Sequence, residues 1–173
     1  MQATLKKMVS FGGVGLHSGA PARLEIHPAP AGHGIVFRRT DLSPAVDIPA
    51  RWDHVRPSKL CTLMDDGKGT TLSTVEHVMA ALAGTGIHNA LVIVDGPEVP
   101  ILDGSAAPFV RGILRAGIAM QTAPLRAIRV LRPVEVREGD ERPDREGVAQ
   151  IAVVALEVDD RQVAARHGSD KVV

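Results

Sequence analysis

Residues 73–83 have the sequence Ser-Thr-Val-Glu-His-Val-Met-Ala-Ala-Leu-Ala and are the most informative stretch of the chain. At about 100° per residue, their larger apolar side chains share one helical face that excludes Glu76 and His77. The pattern predicts a helix from about Thr74 to Ala83, stopped by Gly84. Beyond its start this helix has no Lys, Arg, Gln or Asn, whereas a surface helix normally has a charged outer face. We therefore expect the His77 side to be covered by a ligand, a metal site or another domain.

Both polar residues of this helix also have ordinary structural explanations. Ser73 and Glu76 match a capping box, in which the glutamate accepts a hydrogen bond from the backbone N–H of the cap residue. A lone histidine is more often a satisfied polar side chain than a metal ligand. An adjacent Glu-His pair can instead supply a zinc ligand with a neighbouring general base. The local pattern leaves these interpretations open.

The flanking segments predict a β-rich first half and one further helix. Residues 22–27 alternate apolar and charged side chains, which is typical of a half-buried strand. Ala90–Val94 is almost continuously apolar, which favours a strand buried on both faces. A second helix is predicted from about Ala106 to Ala116, with Ser105 as its N-cap. Further strands are predicted at Ile35–Arg39, Val46–Ile48, Leu60–Met64, Ala127–Val136 and Val148–Val158.

Composition excludes several classes of function. The 173 residues include 20 Lys and Arg and 20 Asp and Glu, so the formal net charge is zero. This balance argues against binding to nucleic acid or to an anionic membrane mainly through positive charge. With one Trp, three Phe and no Tyr, a surface that stacks bases on aromatic rings is not expected. An RNA-binding β/α sandwich, which needs a basic surface, is disfavoured for the same reasons.

Targeting and redox features point to a cytoplasmic protein. The N-terminal residues lack the apolar core of a signal peptide, and the longest apolar runs are far too short for a membrane span. Cys61 is the single cysteine, so the chain can form neither an internal disulfide nor a zinc knuckle. We expect a soluble, cytoplasmic protein with no nucleic-acid partner and no membrane span.

Six blocks occur together in a characteristic order and spacing. They are FGGVGLHSG (11–19), FRRTDL (37–42), LCT (60–62), LSTVEH (72–77), AALAG (80–84) and PEVPILDGSAAPF (97–109). Together they closely resemble the UDP-3-O-acyl-N-acetylglucosamine deacetylase family, the zinc enzymes of early lipid A synthesis in Gram-negative bacteria. The resemblance covers about residues 3–138.

The resemblance implies a fold. Family members have two similar domains, each a β-sheet layered against two helices, with the active site between the domains. We therefore expect an α+β fold, a two-layer sandwich of a mainly antiparallel β-sheet on two α-helices, plus the start of an incomplete second domain. The first domain is expected to span residues 1–123, and residues 124–173 to form a truncated or divergent start of the second domain with a loose tail.

The resemblance also implies a mechanism and its residues. Zn²⁺ lowers the pKa of a bound water, and a carboxylate takes a proton as that water attacks the acetamide carbonyl of UDP-3-O-acyl-N-acetylglucosamine. By the matching block, Glu76 is the general base and His77 is one zinc ligand. Leu60 and Cys61 match positions near the substrate passage, and His17 lies in a block near the site.

Two of these assignments compete with simpler roles, and one further segment of the matching blocks has a structural explanation. His17 also fits a loop histidine that hydrogen-bonds the glycine-rich turn. Cys61 also fits a small buried hydrophobe, the commoner role of a lone thiol. The segment Asp103-Gly104-Ser105 is better explained as turn and cap chemistry than as a catalytic group.

The C-terminal part departs from the family. The remaining zinc ligands of the family, a His and an Asp from a His-Lys motif, lie in the second domain, as does the general-acid histidine. This chain has no His-Lys pair, and the spacing of His167 and Asp170 does not match, so we assign neither a metal role. Truncation, an interrupted reading frame and a natural half-protein would each produce this sequence.

Two functions remain in competition. A hydrolytic zinc site normally takes three protein ligands, and the resemblance supplies one. The first possibility is a deacetylase chain that is not competent alone and is either a piece of the active enzyme or completed by a second-domain polypeptide. The alternative is a non-catalytic binding or pairing domain that retains the first-domain fold and pairs by self-association or with a complete enzyme.

Overall fold

The computed structural model describes residues 1–125, which form one compact unit of twelve strands and helices with a short 3-10 turn at Trp52–His54. The elements in chain order are β1 (Ala3–Leu5), β2 (Val9–Val14), β3 (Pro21–Pro28), β4 (Ile35–Arg39), β5 (Val46–Pro49), β6 (Val55–Arg56), β7 (Leu63–Asp65), β8 (Thr71–Ser73), α1 (Glu76–Gly84), β9 (Ala90–Val94), α2 (Ala107–Ala116) and β10 (Ile118–Met120).

The largest sheet has five strands in the order β2-β3-β9-β4-β5, and every pair is antiparallel except β4 with β9. The alternation predicted for β3 is confirmed, because Ala22, Leu24 and Ile26 are buried while the intervening side chains are more exposed. In β9 the strand itself is confirmed, but burial on both faces is wrong. Leu91 and Ile93 are only partly buried, since the helices and the core lie on the opposite face.

Helix α1 begins two residues later than predicted. Ser73 belongs to β8, and Thr74 has a left-handed backbone with φ of 64°, so the helical turn starts only at Glu76. Val78 and Leu82 of this helix are fully buried in the core, while Met79 is partly buried against it.

Helix α2 packs closely on the edge strand β2. Phe109 and Ile113 are fully buried, and the ring of Phe109 lies 4.9 Å from that of Phe11. A Cβ at Gly112 would collide with the Phe11 ring, so the glycine permits this approach. The helix stops, as predicted, at Gly117, whose φ is 81°.

Two smaller sheets complete the unit. Strands β6, β7 and β8 form one of them, and β1 pairs antiparallel with β10 in the other. The strand predicted at Leu60–Met64 is displaced to Leu63–Asp65, because Leu60 has a φ of 67° and cannot continue an extended chain.

The fold is α+β, with a mainly antiparallel sheet layered on two helices, as the sequence predicted. Within residues 1–125, no helix has the length and apolarity needed to cross a membrane. The strands predicted at Ala127–Val136 and Val148–Val158, together with His167 and Asp170, lie outside the described residues. The division into domains at residue 123 stays a prediction.

Candidate active site

Glu76 occupies the first position of α1 and holds a neighbouring loop. Its Oε2 accepts a hydrogen bond from the backbone N–H of Thr62 at 3.1 Å. The carbonyl of Thr62 in turn accepts from the N–H of Thr74, also at 3.1 Å. This pair of bonds fixes Thr62 beside the start of the helix.

The capping-box interpretation of Ser73 and Glu76 is wrong. The N–H and the hydroxyl of Ser73 both donate to the carbonyl of Pro97, at 3.0 and 3.2 Å, so the N–H is not available to Glu76. The N-cap position is Val75, which provides no side-chain cap. The Glu76 carboxylate is therefore free of a helix-capping role, and its Oε1 makes no hydrogen bond within residues 1–125.

His77 is half-buried at the second position of α1, and its Nδ1 is enclosed without a hydrogen-bond partner in residues 1–125. Buried polar atoms nearly always have a partner, so an orphaned imidazole nitrogen indicates a missing ligand or a missing contact. The explanation of His77 as a satisfied polar side chain therefore fails for this atom. The flanking helix surface is mixed, with Ala80 and Ala83 exposed but Ala81 fully buried.

Sequence analysis missed Glu98, the most heavily bonded carboxylate near this site. Its side chain is buried, and Oε1 accepts from the backbone N–H of His17 at 2.9 Å and from the hydroxyl of Thr74 at 3.0 Å. Oε2 accepts from the N–H and the hydroxyl of Ser18 at 3.0 and 2.7 Å. Burial raises the pKa of Glu98, but these hydrogen bonds to its charged form outweigh it and lower the pKa to about 2.

Residues 15–20 form the loop that binds Glu98, and Gly15 is essential to its conformation. Its N–H donates to the carbonyl of Ala20, and its own carbonyl accepts from Gly19, which closes the loop on itself. A Cβ at Gly15 would collide with the Glu98 carboxylate and with the hydroxyl of Ser18. Glycine is required here for space rather than for an unusual φ.

His17 meets the site through its backbone. Its side chain is exposed, and the imidazole makes no hydrogen bond within residues 1–125, so the predicted contact between the ring and the glycine-rich turn is not observed. The backbone N–H nevertheless fixes the position from which the ring projects.

Leu60 and Cys61 lie on the loop held by Glu76. The Leu60 side chain is 90% exposed, and a large apolar group so presented is available to contact a ligand or another chain. Cys61 is half-buried, with Sγ 3.3 Å from the hydroxyl of Ser58, so its interpretation as a small buried hydrophobe is wrong.

The segment Asp103-Gly104-Ser105 has the structural role that the sequence predicted. Oδ1 of Asp103 accepts from the N–H and the hydroxyl of Ser105, and the Ser105 oxygen accepts from the N–H of Ala107. The formal N-cap is Ala106, one residue later than expected.

The five predicted site residues thus lie on three segments that the structure joins. Glu98 links the His17 loop to Thr74, and Thr74 and Glu76 both bind the backbone of Thr62. The roles assigned to these residues stay predictions. A cavity of about 450 Å³ between β2 and α2 lies elsewhere, since neither Glu76 nor His77 lines it.

A complete metal centre is not present in this part of the chain. Residues 1–125 contain no group of three or more His, Cys, Asp or Glu side chains placed to hold a metal ion. The enclosed Nδ1 of His77 fits a single imidazole ligand, and Glu76 beside it fits a base. Further ligands would have to come from outside these residues.

Fold and site together define a class of protein. It is an α+β domain in which a glutamate and a histidine with an unpartnered ring nitrogen occupy the first two positions of a helix. The family profile for UDP-3-O-acyl N-acetylglycosamine deacetylase matches residues 2–165. The chain belongs to this family, which confirms the resemblance seen in its sequence blocks.

Curated bacterial relatives agree with this assignment. The chain is 53% identical over 139 residues to a UDP-3-O-acyl-N-acetylglucosamine deacetylase of Shewanella baltica strain OS155. It is 52% identical over the same length to the enzymes of that name from Shewanella oneidensis and Shewanella frigidimarina. Each match covers 80% of this chain but 45% of the relative, so the chain spans under half the length of these proteins.

Proposed function

We propose that the chain is the first domain of a zinc-dependent, cytoplasmic deacetylase that removes the acetyl group of UDP-3-O-acyl-N-acetylglucosamine in lipid A synthesis. The support is its family membership and the printed names of relatives that are 53% identical to it. The single structural observation that carries the proposal is the enclosed, unpartnered Nδ1 of His77 beside Glu76.

Glu76 is suited to move a proton. One of its oxygens accepts a hydrogen bond from the N–H of Thr62, which anchors one end of the carboxylate. The other oxygen is left to accept a proton from an attacking water, as a general base must. Zn²⁺, held in part by His77, would lower the pKa of that water and polarise the amide carbonyl.

Catalysis requires groups that residues 1–125 do not supply. Hydrolytic zinc sites use three protein ligands, and His77 is one. The proposal therefore includes a second domain that supplies them, either within a longer protein of which this sequence is a piece or in a separate polypeptide. Leu60, Cys61 and His17 are proposed to contact the substrate from the loops that Glu76 and Glu98 hold.

Complementation tests this function. The chain would be co-expressed with the portion of the Shewanella baltica relative that it does not cover, and zinc content and deacetylation would be measured. We expect zinc and turnover in the assembled protein, loss of turnover with retained zinc in Glu76→Gln, and loss of both in His77→Ala. His33→Ala is the matched control, because this exposed ring bonds only to the carbonyl of Gly34.

Two outcomes would contradict parts of the proposal. Turnover that survives in Glu76→Gln would remove the base from the mechanism. Stoichiometric zinc with turnover in the chain alone would show that no partner is needed.

A non-catalytic pairing domain is the competing function. The observation that favours it is the absence of a three-ligand cluster within residues 1–125. Size-exclusion chromatography with light scattering separates the possibilities, since a pairing domain self-associates. A strictly monomeric chain that binds no zinc and cannot be complemented would exclude both functions.

A further inference from the structure

We propose that Glu98 is a positioning residue, which sets the His17 loop and the start of α1 in a fixed relation at the candidate site. The inference rests on the proposed function for its catalytic meaning, but its structural content stands on contacts in this chain. Among the predicted site residues, Glu98 hydrogen-bonds only to His17, and only to its backbone N–H.

Four hydrogen-bond donors converge on the carboxylate of Glu98. Two successive backbone N–H groups, of His17 and Ser18, point at Glu98 from a loop about 80 residues earlier in the chain. Two hydroxyls, of Ser18 and Thr74, complete the set. Gly15 leaves the space that the carboxylate fills. Such a nest of N–H groups selects a negatively charged group.

Thr74, which donates one of these hydrogen bonds, has a strained backbone. A β-branched residue with φ of 64° is unfavourable, and such conformations persist only where the surroundings enforce them. Thr74 is 1% exposed, its hydroxyl is held by Glu98, and its N–H is held by Thr62. Because Glu76 follows two residues later, the backbone of Thr74 sets the direction in which α1 leaves β8.

The backbone of Glu98 is also fixed, by contacts with Ser73. Glu98 forms a parallel bridge with Ser73, and the N–H of Val99 donates to the carbonyl of Ser73 at 3.2 Å. The carboxylate is thus presented from a rigid support. Through its hydrogen bonds, this one carboxylate holds both the His17 loop and Thr74, which precedes α1, in a fixed position relative to β8.

Amide hydrogen exchange in the full chain tests the inference without any activity. In Glu98→Gln one acceptor oxygen becomes the NH2 of a carboxamide, which is a donor and faces other donors. Hydrogen exchange at the backbone amides of His17 and Ser18 should therefore accelerate about ten- to a hundred-fold. Glu25→Gln is the charge control, since Glu25 pairs with other residues on β3. Ile113→Val is the stability control, because it loosens the core without touching the loop.

Threonine variants separate positioning from simple packing. Thr74→Ser keeps the hydroxyl and should leave the exchange at His17 and Ser18 and the amide chemical shift of His77 unchanged. Thr74→Val keeps the volume but removes the donor, and should shift the His77 amide and accelerate exchange. These variants also decide the question if Glu98→Gln fails to fold.

The assembled enzyme provides a second readout. A positioning role predicts that Glu98→Gln lowers kcat about tenfold or more with little change in KM, whereas Glu25→Gln changes neither. Exchange and shifts that match the controls in both Glu98→Gln and Thr74→Val would overturn the inference. Failure of the assembly that contains the unmodified chain to give turnover would instead refute the proposed function, and the exchange result would then decide the role of Glu98.

Discussion

At the scale of single residues, the balance of charge and burial at Glu98 has a consequence for acid stability. The folded pKa of about 2 lies below the ordinary value of 4.5, so the unfolded chain binds the proton more readily. Stability from this group is fully present above about pH 4.5 and is lost as the pH falls towards 2. At about 1.4 kcal/mol for each pKa unit, the loss is about 3 kcal/mol.

Urea unfolding between pH 6 and pH 2 measures this loss. We expect the free energy of unfolding to fall more steeply in the unmodified chain than in Glu98→Gln, with the two curves converging near pH 2. Other carboxylates with lowered pKa, such as Asp41 beside Arg39, contribute a background common to both proteins. Parallel curves across this range would contradict the assignment.

Gly15 permits a sharp residue-scale prediction. Gly15→Ala places a methyl group where the Glu98 carboxylate lies, so the loop or the carboxylate must move. We expect a loss of about 1–3 kcal/mol in the free energy of unfolding. Gly12→Ala, a neighbour in β2 with open space around it, should change stability by less than about 0.5 kcal/mol. Equal effects of the two substitutions would show that the contact does not matter.

At the scale of elements, a Gly→Ala substitution is expected to change the free energy of unfolding in opposite directions in α1 and α2. Gly→Ala within a helix stabilises by up to about 1 kcal/mol from propensity alone. At Gly84, where nothing lies near the new methyl, that gain should appear. At Gly112 the methyl would collide with the Phe11 ring, so we expect net destabilisation of about 1–3 kcal/mol. Thermal unfolding compares the pair, and stabilisation by both would disprove tight packing of α2 on β2.

The elements also show how far sequence reasoning reaches. The strand at 22–27 was predictable because its period of two is a local property, and α2 because Gly117 supplies a local stop. The start of α1 was not, since the left-handed Thr74 is enforced by contacts with Thr62 and Glu98 that are distant in the chain.

The residues of the candidate site also differ in whether local sequence could identify them. Glu76 and His77 became candidates through the matching block, because the local pattern alone left structural explanations open. Glu98 was missed because its importance comes from partners about 80 residues away. The available signal was a lone charge among apolar residues and prolines in the sequence Pro-Glu-Val-Pro-Ile-Leu at 97–102.

At the scale of the whole molecule, residues 1–125 close on themselves. Strand β1 pairs with β10, and the amide of Asn89 donates to the side-chain carbonyls of Gln2 and Gln121, at 2.8 and 2.7 Å. A buried asparagine therefore connects the two ends of this unit by hydrogen bonds.

A fragment of residues 1–125 is accordingly expected to fold alone and unfold in one cooperative transition. A fragment that stops at Gly117 loses β10 and should be markedly less stable, because β1 loses its strand partner. Circular dichroism during urea unfolding measures both. A fragment 1–125 without a cooperative transition would show that the unit depends on the remaining chain.

The binding of Glu98 by the glycine-rich loop also bears on whether this loop can accept an external anion. Consecutive backbone N–H groups after a run of glycines are the usual cradle for a diphosphate, but here an internal carboxylate already fills it. An external phosphate group would meet like charge at this spot, so we expect this loop not to bind one while Glu98 occupies it.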